Sequence, residues 1–139
     1  MSKEKNWGIS IFVVQNYKIM NTLLWIAQGL LAAVFMYSGI MKSSQRREKL
    51  MQVGQTGVAN LSYPMIRFIG IIEILGAVGI LVPWATGILP WLTPFTALGF
   101  AVIMMMAAPI HYKRGEYGSV ACNIFLLLTA LTVMVLRYA

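Results

Sequence analysis

Four apolar runs constrain this chain more than any other feature, because each approaches the roughly 20 residues that a helix needs to cross a bilayer. They cover residues 21–41, 64–82, 91–110 and 119–136. The expected fold is therefore all-α: a polytopic membrane protein whose residues 21–139 form a bundle of four transmembrane helices. Asn21 and Thr22 are suited to cap the first span, and Pro64 is suited to open the second, where its missing N–H costs nothing. The second span is expected to end at Pro83, and the uncharged PWATGILP stretch after it reads as a turn at the membrane surface. Pro109, one turn from the end of the third span, is expected to release the carbonyl of Met105 and bend that helix. Residues 1–20, with Lys3, Glu4, Lys5 and Lys18 around GISIFVVQ, form a tail that is either interfacial and amphipathic or partly ordered.

Composition narrows the class further. With 139 residues, 59% of them hydrophobic, and a mean hydropathy of +0.74, the chain is too apolar for a soluble domain and too short for two domains. Its net charge of +7 does not point to nucleic acid, because the basic residues flank the apolar runs. They fit membrane orientation instead. The side holding the connections 42–63 and 111–118 carries Lys42, Arg46, Arg47, Lys49, Lys113 and Arg114, whereas Lys3, Lys5, Lys18 and Arg137 lie on the other. The first of these sides is thus expected to be cytoplasmic. A single cysteine, Cys122, excludes an internal disulfide, and a single histidine, His111, excludes a haem held by two histidines of one chain. No metal-ligand set, phosphate loop, carboxylate pair or nucleophile triad is present, and the brief methionine run at 104–106 reads as packing bulk. The first 20 residues lack the apolar core of a cleavable signal, so the first span is expected to serve as the targeting segment.

The second run is unusual in holding both Arg67 and Glu73. A carboxylate near the middle of a span is costly and marks a functional position by default. At about 100° per residue, Arg67, Gly70 and Glu73 share one face, but a spacing of six does not bring two side chains of one helix together. Their partners are expected from other helices. Tyr37 and Lys42 at the end of the first span, His111 at the end of the third and Asn123 at the start of the fourth all belong to the same membrane half as Arg67. These six residues are the candidate polar pocket, with Glu73 at its base. Two readings stay open: a ligand or proton site, or a polar network that only holds the bundle in register. Arg67 is suited equally to snorkel, to meet an anionic headgroup or to pair with Glu73. Gly29, Gly39, Gly70, Gly76 and Gly79 offer small surfaces for close helix contact.

The run RFIGIIEILGAVGILVP, then AAPIHYKRGE, then Asn123 resembles the DoxX-like family of small four-helix membrane proteins over about residues 22–136. The residues that carry the likeness are Arg67, Gly70, Glu73, Gly79, Pro83, His111 and Asn123, together with Gly39 and Lys42. Some members of that family are named as small subunits of a thiosulfate:quinone oxidoreductase or of a terminal quinol oxidase. The resemblance implies an accessory or quinone-interacting subunit of a membrane redox assembly, with no intrinsic cofactor and quinone as the external one. The implied partners are the lipid bilayer and a second copy or other subunits, and the implied location is a cell membrane, in particular a bacterial inner membrane. A small proton-coupled transporter using Glu73 and a purely structural scaffold are the competing expectations.

Overall fold

In a computed structural model, which describes residues Ser2–Ala139 and their side chains from Trp7 onward, the chain is helical throughout, with no strand among the described residues. The helices are α1 (Ser2–Ser44), α2 (Arg47–Gln52), α3 (Tyr63–Gly79), α4 (Val82–Thr86), α5 (Leu92–Lys113) and α6 (Tyr117–Tyr138), with a 3₁₀ turn at Thr56–Val58. Four stretches, Trp7–Ser44, Tyr63–Thr86, Leu92–Lys113 and Tyr117–Tyr138, are long and apolar enough to cross a membrane. The protein is a four-span membrane bundle.

The first helix departs from the expected boundary at residue 20. Of the tail, Met1 and the side chains of 2–6 lie outside the described residues. From Ser2 onward the helix is unbroken for 43 residues, about 64 Å at 1.5 Å per residue. Asn21 and Thr22 do not cap it, because their polar groups are engaged elsewhere. The Thr22 hydroxyl donates back to the Lys18 carbonyl at 3.0 Å, and the Asn21 side chain accepts from Arg137 at 2.8 Å. No proline interrupts this stretch and Gly8 is its one glycine before Gly29, so nothing local stops the ladder. The 7–20 portion is apolar around its circumference and exposed, from Trp7 through Phe12 and Tyr17 to Met20.

The helices associate as two close pairs, α1 with α3 and α5 with α6. Backbone contact explains the first. A Cβ on Gly39 would stand 2.6 Å from the Gly70 carbonyl oxygen, and one on Gly70 would stand 2.7 Å from the Ser43 nitrogen. Glycine is the residue that permits this approach. The two pairs meet in a core where the Phe35 and Phe100 rings stack at 3.7 Å and 4°, ringed by Leu31, Ala77, Ala101, Leu126 and Ala130. Gly76 lies over the Phe100 ring and Gly79 against Thr96. A Cβ on Gly29 would meet nothing within 4 Å, so this glycine, expected at a helix contact, does not make one.

The second span breaks near its end for a reason written in the sequence. Pro83 has no N–H to give to the Gly79 carbonyl four residues earlier. The chain turns at Ile80–Leu81 and resumes as α4, which Gly87 ends in the left-handed conformation at φ +70°. Two side chains serve the exposed carbonyls: Gln28 donates to that of Ile80 at 2.6 Å, and the Thr93 hydroxyl stands 3.5 Å from that of Gly79. At Pro109 the helix does not stop, and α5 runs on to Lys113. The connection between Ser44 and Tyr63 is folded rather than open. Leu50 and Val58 pack on Ile66, while Arg47 donates to the Leu61 carbonyl and lies over the Tyr63 ring at 4.9 Å.

The α1–α3 contact yields the first prediction. Gly70→Ala is expected to lower stability by about 1–3 kcal/mol through overpacking against backbone that cannot yield, read as a fall in the thermal midpoint in mild detergent. Gly29→Ala, which meets no neighbour, is expected to stay within about 0.5 kcal/mol of wild type.

Candidate functional site

Gly39 and Gly70 bring the last turn of α1 against the middle of α3, and this juxtaposition builds the site. Lys42 Nζ lies 2.7 Å from Glu73 Oε1 and donates also to the Ser38 hydroxyl at 2.8 Å. Glu73 is 1% exposed. Its second oxygen, Oε2, is buried and meets no hydrogen-bond donor. Arg67, one and a half turns earlier on α3, does not reach the carboxylate. Its Nη1 donates to the Lys42 backbone carbonyl at 2.9 Å, one of the carbonyls that the end of a helix leaves without an internal partner. A cation there also opposes the negative end of the helix dipole.

The other three expected members stand apart. Asn123 is buried at 9% exposure on α6, and its amide nitrogen meets no acceptor. Tyr37 is 57% exposed on the outer face of α1. His111 belongs to a separate cluster that ties the folded connection to the α5–α6 turn. Its Nδ1 lies 2.6 Å from Glu116 Oε2 and 3.2 Å from the Thr56 hydroxyl, which itself donates to Glu116. Arg114 Nε donates to the other oxygen of Glu116 at 2.9 Å. The Thr56 hydroxyl first, then His111 and Arg114, hold the Glu116 carboxyl down at about 2 from its usual 4.5.

A further cluster at the opposite membrane half centres on Arg137, which the sequence presents as a flanking charge. Arg137, at the last turn of α6, points inward. Its Nε donates to Gln28 Oε1 at 2.8 Å and its Nη1 to Asn21 Oδ1 at 2.8 Å. The guanidinium lies 4.4 Å from the Trp84 ring centroid and 5.5 Å from that of Trp25. Gln28, fully buried in the first span, was the available signal, since a side-chain amide at that depth needs partners for both its ends.

Two predictions follow from these clusters. Glu73→Gln or Lys42→Met alone is expected to cost about 3 kcal/mol by leaving a buried charge or polar group unpaired, and the double variant less than either. A chemical-denaturation cycle in detergent measures this. The bonds to Glu116 favour its charged form, so their contribution is complete above pH 4.5 and is lost as pH falls through about 2. Amide exchange at residues 55–59 is expected to accelerate over that window, and Glu116→Gln to remove the dependence.

Comparison with known proteins places the chain. No curated protein and no solved structure matches it. One family model, described as the DoxX-like family, matches residues 26–133, a stretch that holds Lys42, Arg67, Glu73, His111 and Asn123 as well as all of α3 and α5. By that match over most of its length, and with the four spans in place, this protein is a member of the DoxX-like family of integral membrane proteins.

Proposed function

We propose that the protein is a quinone-interacting accessory subunit of a membrane redox assembly, seated in a bacterial inner membrane and associated there with a second copy or with other subunits. The observation that carries this reading is Glu73: a carboxylate buried within a span, held by Lys42 on one oxygen and left without a donor on the other. A structural ion pair requires only the first half of that arrangement. An unmet acceptor in a dry site suits a ligand that brings a hydroxyl.

The residues fit a quinol or quinone head group by donor and acceptor type. Glu73 Oε2, buried and without a donor, would accept from a ring hydroxyl. Glu73 lies about 15 Å along α3 from its first residue, in the membrane half of the basic connections. An apolar groove of about 500 Å³ between α3 and α5, lined by Ile72, Gly76, Thr96 and Phe100 among others, gives an isoprenoid tail a place beside the turn that carries Glu73. The quinone would supply two-electron, two-proton chemistry. Electron transfer calls for a redox centre on a partner chain, and the part argued for this chain is to bind and orient the ring and to hold a proton-accepting group beside it.

Purified from membranes in mild detergent, the protein is expected to retain quinone detectable by native mass spectrometry. Glu73→Gln is expected to weaken titrated quinol binding by about tenfold, the equivalent of 1.4 kcal/mol. Asn123→Leu, on a helix that stands apart from the ion pair, is expected to leave it unchanged. Protein that is free of quinone and shows no shift on titration would instead support the scaffold, with the Lys42–Glu73 pair serving packing alone.

A further inference from the structure

Arg137 presents a charge that the chain does not balance. The residue is 7% exposed, and among the described residues no carboxylate lies within 4 Å of it, since the ion pairs present join Lys42 to Glu73 and Glu116 to His111 and Arg114. The sequence explains why. Of the four acidic residues, Glu48, Glu73 and Glu116 belong to the other half of the membrane or to its far surface, and Glu4 is about 25 Å along α1 from Asn21. Two neutral amides take Nε and Nη1, and two indole faces flank the guanidinium, but Nη2 is buried with no acceptor. Aromatic faces attract a cation, but by less than the cost of removing a charge from water. A counter-anion from outside the chain is the missing component.

We propose that Arg137, with Trp84 and Trp25 beside it, forms a site for the phosphate of an anionic lipid in the leaflet that holds the Pro83–Pro90 turn. Depth supports this source. Arg137 lies in the last turn of α6, and Trp25, Trp84 and Trp91 gather near the same end of the bundle, as tryptophans do at headgroup level. Guanidinium is the side-chain cation best matched to phosphate oxygens, through paired N–H donors, and basic clefts between spanning helices are a recurrent way of holding headgroups. Trp84, partly exposed on the five-residue α4, is the side of the site nearest solvent and headgroups. Arg137 and its partners lie at the opposite end of the bundle from Lys42 and Glu73 and share no hydrogen bond with them, so the site is separate from the one built on Glu73.

The test uses the full chain in nanodiscs of phosphatidylcholine, with or without phosphatidylglycerol. It is run on an Arg46→Gln/Lys49→Gln background that removes exposed basic residues from the opposite face. Native mass spectrometry is expected to show phosphatidylglycerol retained over phosphatidylcholine by about tenfold, together with a higher thermal midpoint, and Arg137→Gln is expected to bring the preference close to unity. Absence of any preference in the background protein, or the same preference after Arg137→Gln, would overturn the proposal. If Arg137→Gln does not fold, a phosphatidylglycerol with a photoreactive headgroup decides with Arg137 in place. Labelling within 82–88 or 136–138 supports the site, and labelling confined to 42–52 and 113–117 refutes it. Inorganic phosphate that raises the midpoint equally in phosphatidylcholine alone would overturn the lipid source and assign the anion to solution.

Discussion

The backbone contact between Gly39 and Gly70 is the interaction on which the rest of this structure depends. In a bilayer, apolar side chains gain little by leaving lipid tails for a neighbouring helix, so association rests on close packing and polar contacts. Here both act at the same place. Because α1 and α3 touch through glycine, Lys42 on one reaches Glu73 on the other, and Arg67 reaches the carbonyl of Lys42. A side chain at either glycine would separate the helices at the level where the ion pair forms.

The polar groups divide by depth, and each set joins a different group of elements. Lys42 and Glu73 link the two helices of the first pair. His111, Thr56 and Glu116 fasten the folded connection to the turn between the helices of the second pair. Arg137 and Gln28 tie α6 to α1 and, through the Ile80 carbonyl, to the break that Pro83 creates. Between these levels the Phe35–Phe100 stack is the apolar bridge from one helix pair to the other. Glu73, Asn123 and Arg137 each keep one buried polar atom unmet within the spans.

Much of the fold was legible because the bilayer imposes length. Four apolar runs of sufficient reach allow few arrangements, and the break at Pro83 follows from a missing donor. The assignment of Lys42 and Glu73 to one membrane half was equally readable. What a single sequence does not carry is azimuth. Tyr37 is one turn before Met41 and close to Lys42 in depth, yet it faces outward while Ser38 and Lys42 face α3. His111 lies at the expected depth but meets the connection, because the packing of Leu50 and Val58 on Ile66 places Thr56 above it. Arg137 read as a flanking charge since it ends a span, and only the position of α1 beside it turns it inward. The continuity of α1 through residue 20 was obscured for a different reason: scattered polar residues suggested a tail, although no residue there breaks a helix.

The unbroken length of α1 has a mechanical meaning. The ties nearest its amino end are Asn21 and Gln28, both held by Arg137, so the exposed 7–20 segment projects as a cantilever about 21 Å past Asn21. A load on that segment meets α6 through Arg137 well before it meets the lysine beside Glu73.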